Sequence, residues 1–117
     1  MPHVVLNGDV KITDIFNKFK PVFIRTGQGV LKTGTYYISY DKSAMLIEAL
    51  AIETGVKKSF LAMINRRDDG IVIRIFPGSE VEKTAGVKNI LAEIAKQIKA
   101  VFPHLIIGET NLSEYLA

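Results

Sequence analysis

The chain has 117 residues, of which 48% are hydrophobic and 23% charged, and this length and composition fit one folded domain covering residues 1–117. It contains no cysteine, which excludes disulfides, thiol nucleophiles and cysteine-ligated metal sites. The formal net charge is +3, and because the basic excess lies only in residues 55–78, it falls short of a nucleic-acid-binding signature.

The sequence predicts a cytoplasmic protein. The start of the chain, residues 1–6, has no basic stretch ahead of an apolar run, so we expect no signal peptide. The densest apolar stretch, residues 44–52, contains Glu48 and is too short to cross a bilayer, so we expect no membrane partner. The many isoleucines, with no cysteine or tryptophan, are typical of a thermophile.

The first predicted elements are a short helix and two strands. Apolar residues recur at helical spacing through residues 9–20, and Pro21 ends this helix. Residues 22–25 and 35–41 are rich in β-branched and aromatic side chains, which favours strands.

The next segment, residues 43–54, is compatible with two structures. Its leucine, alanine and glutamate residues favour a helix that Gly55 would cap. As a strand, the same residues would continue a regular meander between turns at 41–44 and 54–57. The sequence leaves both alternatives open.

The strongest sheet signal is a hairpin with strands at 58–65 and 71–76, joined by a turn that contains Asp69 and Gly70. Alternation puts apolar residues on both of its faces, with Phe60, Ala62, Ile64, Ile73 and Ile75 on one and Leu61, Met63, Val72 and Phe76 on the other. We therefore expect both faces to be covered, either by helices or by a helix and a partner subunit.

A long amphipathic helix is predicted from Ser79 to Phe102. Ser79 and Glu82 have the spacing of a capping box, apolar residues follow at three- and four-residue steps, and Pro103 ends the helix. Gly86 costs this helix about 0.5–1 kcal/mol relative to alanine. The sequence therefore predicts a close approach to Gly86 or an irregular first turn.

A short strand at 105–107 and a helical turn at 111–116 complete the predicted elements. Together these elements predict an α+β fold. In it, a short N-terminal helix and a long amphipathic C-terminal helix pack on an antiparallel sheet of about four to six strands.

The glycine-rich segment 25–34 is the first candidate site. Its backbone N–H groups and two cations could bind a phosphorylated metabolite, with Arg25, Gly27, Gly29, Lys32 and Thr33 as the candidate ligands. The segment lacks the spacing of a Walker A motif, and a plain hairpin loop is the alternative interpretation.

A second candidate site would bind nucleic acid. Aromatic side chains on a strand can stack bases when cations lie beside them. The candidate residues are Tyr37, Lys57, Lys58, Arg66, Arg67 and Arg74. Tyrosine is also an ordinary strand residue, which is the alternative interpretation.

The sequence offers little acid–base or metal chemistry. His3 and His104 have no carboxylate close to them in sequence, and two histidines without cysteine exclude a structural zinc site. Glu48 could act as a general acid or base if the core raised its pKa, whereas a solvent-facing Glu48 could not. We predict no catalytic residues, no metal and no cofactor.

Three functional hypotheses follow. The first is a small intracellular, non-catalytic binding or regulatory domain that forms a homodimer, because the hairpin is apolar on both faces. The second is a nucleic-acid-binding accessory protein. The third is a small enzyme or sensor for a phosphorylated metabolite that uses the loop 25–34. Self-association, a protein partner and nucleic acid are therefore the partners considered.

Overall fold

The computed structural model describes residues 1–27 and 29–117. Within these residues, seven strands form one antiparallel sheet in the order β2-β3-β4-β5-β6-β1-β7. The elements are β1 His3–Asn7, α1 Ile12–Lys18, β2 Phe23–Thr26, β3 Gly29–Ile38, β4 Ala44–Glu53, β5 Val56–Arg67, β6 Gly70–Ile75, α2 Ala85–Val101, β7 Ile106–Thr110 and α3 Ser113–Leu116.

The predicted fold class is wrong in its balance of strands and helices. The described chain is mostly sheet, with seven strands instead of about four to six. Its helices have only 7, 17 and 4 residues. The sequence missed β1 because its five residues form too short an apolar run to identify by periodicity.

The predicted start of the long helix at Ser79 is also wrong. The Ser79 Oγ accepts a hydrogen bond from the backbone N–H of Leu61 at 3.0 Å, so its hydroxyl binds the backbone of β5 and does not cap a helix. Helix α2 begins at Ala85, behind Thr84, whose hydroxyl accepts from the Val87 N–H at 3.4 Å. The capping-box spacing was therefore coincidental.

Glu53 fixes the beginning of α2 over the sheet. Its carboxylate accepts hydrogen bonds from the Thr84 hydroxyl at 2.5 Å and from the Gly86 N–H at 3.0 Å. A Cβ on Gly86 would lie 2.7 Å from the Glu53 carboxylate carbon. The close approach to Gly86 is one of the two outcomes that the sequence predicted, and a side chain here would displace the Glu53 carboxylate from the start of the helix.

All three helices pack on the same face of the sheet, which we call the covered face. Phe16 in α1 and Phe19, which follows the helix, contact Tyr36 edge to face, at centroid distances of 5.3 Å and 5.1 Å. One core cluster joins the helices to the strands. Its fully buried members include Val4, Leu6, Met45, Ile47, Ile64, Ile71, Ile73, Ile90, Leu91 and Ile94.

The ambiguous segment 43–54 is strand β4. Every second side chain of β4 points into the core and is at most 6% exposed, namely Met45, Ile47, Ala49 and Ala51. The intervening positions on the other face are apolar except for Glu48, which hides the two-residue period in the sequence.

The predicted hairpin is confirmed. β5 and β6 pair in antiparallel register from Ala62 opposite Ile75 to Arg67 opposite Gly70. The two sets of apolar residues lie on opposite faces, as the alternation predicted.

We expect Glu53→Ala to lower the free energy of unfolding by about 1–2 kcal/mol, because the first turn of α2 loses its acceptor and its negative charge. Urea denaturation followed by circular dichroism measures this change. Glu80→Ala is the matched control, because Glu80 is exposed and precedes the helix. Equal stability of the two variants would contradict the role of Glu53.

Candidate functional site

The face of the sheet opposite the helices is the candidate functional site. No helix among the described residues packs on it. Strand register arranges its outward-pointing side chains in rows. These rows, which define the open face, are Arg25, Val30, Ile52 and Lys57; Phe23, Lys32, Leu50 and Ser59; Glu48 and Leu61; Tyr37, Leu46, Met63, Arg74 and His3; Asn65, Val72 and Val5; and Arg67, Gly70 and Asn7.

A bulge in β3 brings Lys32 and Tyr37 to this face together. The register between β3 and β4 shifts between Thr33 and Tyr36. Without the shift, residues 32 and 37 would point to opposite faces, because side chains alternate along a strand.

The centre of the open face is apolar and its margins are charged. Leu46, Leu50, Leu61 and Met63 in the two central strands are half-buried by their neighbours. Phe23 and Tyr37 on β2 and β3 are 61% and 48% exposed. The open face therefore offers an apolar strip with exposed aromatic rings along one side.

The charges of this face are mainly positive. Five of its side chains are cationic, namely Arg25, Lys32, Lys57, Arg67 and Arg74. The carboxylates are Glu48 and, at the far edge on β7, Glu109, whose Oε1 lies 3.6 Å from His3 Nε2.

Three of these cations have no ion-pair partner among the described residues: Arg25, Lys32 and Lys57. They surround the apolar end of the face formed by the first two rows. The other two are engaged, since the Arg67 Nε lies 3.9 Å from Asp69 and the Arg74 Nε donates to the Asn65 Oδ1 at 3.3 Å.

A cavity of about 530 Å³ opens on the same face. The side chains of the open face that line it are Lys32, Glu48, Leu50, Ser59 and Leu61, and Ser79 closes one side. The Tyr37 hydroxyl donates a 2.5 Å hydrogen bond to Glu48 Oε2. This bond raises the pKa of Tyr37 above its usual value.

The structure does not bring the predicted phosphate ligands together. Arg25 and Gly27 are exposed in the β2–β3 hairpin, and Lys32 points to the open face. Thr33 is only 7% exposed, and its hydroxyl accepts from the Val22 N–H at 2.8 Å. Gln28, inside the predicted loop, lies outside the described residues.

The predicted ligand Gly29 has a clear packing role. A Cβ at this position would lie 1.7 Å from the Ile52 carbonyl oxygen. A cavity of about 400 Å³ does separate the hairpin from the start of α2, but the Glu53 carboxylate already occupies the N-terminus of this helix. A phosphate there would meet a like charge, so phosphate binding by this loop stays a prediction without added support.

The predicted nucleic-acid residues divide between the two faces. Four lie on the open face: Tyr37, Lys57, Arg67 and Arg74. Lys58 and Arg66 lie on the other side of the sheet, and the Lys58 Nζ pairs with Glu82 at 2.8 Å. Arg25 and Lys32 had been predicted from the sequence to bind phosphate, and Phe23 was not predicted as a site residue, because the register of β2, β3 and β4 was unknown.

Of the remaining candidates for acid–base chemistry, His104 and Glu48 are exposed and His3 is half-buried. The His104 Nε2 lies 2.7 Å from the Asp9 carbonyl oxygen, and Glu48 is exposed, not buried. The described residues contain no group of three or more potential metal ligands. None of the described helices has the length and apolar character needed to cross a bilayer.

Comparison with known proteins adds no assignment, since no family model matches the chain and neither curated proteins nor solved structures show significant similarity to it.

We expect Gly29→Ala to destabilise the protein by at least about 1–3 kcal/mol, because the added methyl group would force β3 away from β4. Gly27→Ala should stay within about 0.5 kcal/mol of the parent, because a Cβ there meets nothing within 4 Å. Thermal unfolding of both variants measures the difference. Comparable stabilities would contradict the packing role of Gly29.

Proposed function

We propose that this chain is a non-catalytic binding domain whose open face binds single-stranded nucleic acid. The observation that carries the proposal is the charge of that face, where five cations stand against two carboxylates. Three of the cations are unpaired among the described residues. A polyanion would neutralise them and release counterions, which favours binding.

The apolar part of the face supports a nucleic acid with unpaired bases. Single-stranded nucleic acid is bound where cations follow the phosphates and aromatic or apolar side chains receive the bases. Phe23 lies directly opposite Lys32 in adjacent strands, and Tyr37 lies on the same strand as Lys32. The bases of a duplex face one another, so they could not reach this apolar strip.

A second copy of the chain is the alternative occupant. The half-buried leucines would favour such a homodimer, but a two-fold interface buries the same surface of both copies, so two faces with an excess of cations would repel each other. The repulsion is strongest at low salt, where screening is weakest.

We therefore expect a monomer of 13.0 kDa in sedimentation at micromolar concentration and low salt. A stable dimer under these conditions would favour the homodimer over the nucleic-acid proposal.

The proposal is tested by replacing the three unpaired cations together, as Arg25→Gln, Lys32→Gln and Lys57→Gln. Fluorescence anisotropy would follow a labelled oligonucleotide of about 12 nucleotides, within the site sizes of such surfaces. We expect the slope of log affinity against log salt concentration to fall by about 2, because each lost phosphate contact removes about 0.7 for a single strand.

The matched control replaces three lysines away from the open face, as Lys11→Gln, Lys20→Gln and Lys83→Gln. These residues are exposed and flank α1 or precede α2. The two triple variants have the same net charge. An equal decrease of the slope in both variants would show that net charge alone determines binding, which would contradict a site on the open face. The absence of any binding by the parent protein at low salt would also refute the proposal.

A further inference from the structure

The cavity on the open face combines one hydrogen-bond acceptor with several donors. Glu48 supplies a carboxylate at one side, and Lys32, Ser59 and Ser79 also line the cavity. Glu48 and Lys32 form no ion pair with each other. Both charges therefore remain available to a ligand.

The Glu48 carboxylate is held in place and is open to approach. Its Oε2 accepts the Tyr37 hydroxyl at 2.5 Å, which restrains the side chain. A Cβ at Gly34 would lie 3.6 Å from Oε1, so glycine leaves space beside this second oxygen. A carboxylate has about four acceptor positions, and one hydrogen bond from Tyr37 leaves most of them free.

Lys32 and Ser79 are two possible hydrogen-bond donors in the cavity. The Ser79 oxygen accepts from the Leu61 N–H, which leaves its hydroxyl hydrogen free to donate. The Lys32 ammonium group can donate up to three hydrogen bonds. Leu50 lies between Lys32 and Ser59, and Leu61 lies opposite Glu48, so the two leucines form an apolar surface beside the polar groups on which a flat ring could lie.

Among the nucleobases, guanine alone has two adjacent donors, its ring N1–H and its 2-amino group, next to the acceptor O6. A carboxylate can accept both donors at once, whereas adenine, cytosine and uracil or thymine each present an acceptor beside their donor. Resting on the function proposed above, we infer that the cavity binds a guanine base. Glu48 accepts from N1–H and the 2-amino group, and Lys32 or Ser79 donates to O6.

The test compares thymine-only strands with strands that carry one central guanine, adenine, cytosine or hypoxanthine. We expect the guanine strand to bind about tenfold more tightly than the others, in the range known for good bidentate contacts to a base. Hypoxanthine lacks only the 2-amino group, so it should lose most of this advantage. Equal affinity for guanine and hypoxanthine would refute the bidentate contact.

Glu48→Gln should abolish the guanine preference, because an amide offers a donor in place of one acceptor. It should not weaken binding of the thymine-only strand, because it removes a negative charge from the open face. Glu109→Gln is the matched control, since it makes the same charge change at the far edge and should keep the preference. A preference that survives Glu48→Gln would overturn the inference.

Gly34→Val offers an independent check that does not alter charge. Its side chain would narrow the approach to Oε1, and valine suits a strand. We expect loss of the guanine preference with an unchanged circular dichroism spectrum. A retained preference in this folded variant would count against the approach proposed for the base.

The outcomes separate the two proposals. Salt-dependent binding without any guanine advantage would leave the proposed function intact and refute this inference. Failure of every strand to bind would refute the proposed function itself. Displacement of the guanine strand by GMP, but not by AMP, would support the inference with a free nucleotide as the occupant. A preference that GMP does not compete with would support it with a base in the strand.

Discussion

The packing of α2 on the covered face is the interaction on which the rest of the structure depends. Eight of its residues are buried, and they meet alternate side chains of the strands beneath. Burial of apolar surface drives this contact, and the Glu53 carboxylate fixes where the helix starts. Because α1 and α3 join the same core, no described helix packs on the opposite face.

That division explains why the open face differs chemically from the covered one. Among the described residues, the buried core under the helices contains no charged side chain, since burying an unpaired charge is costly. The open face can hold Arg25, Lys32 and Lys57 at small cost because water solvates them. Its leucines cannot reach the core and shield one another only in part. Because every described helix lies on the other side, this surface can be both cationic and apolar.

Local signals predicted part of this structure, and contacts distant in sequence decided the rest. Asp69 and Gly70 gave the β5–β6 hairpin and its two faces, because turn chemistry and alternation are local. The role of Ser79 depended on Leu61, eighteen residues earlier, so a capping-box spacing could not reveal it. The grouping of Arg25, Lys32 and Lys57 depended on the pairing register of β2, β3, β4 and β5. The bulge that brings Tyr37 to the same face leaves no mark in hydrophobic periodicity.

The bulge in β3 places two residues, 34 and 35, opposite the single residue Glu48 of β4. Removing either of the two would leave a regular strand in which Tyr36 still faces the core and Tyr37 still faces the open side. A deletion elsewhere in β3 would instead move the side chains on one side of it to the opposite face. Residues 34 and 35 are thus the positions where this strand should tolerate the loss of one residue.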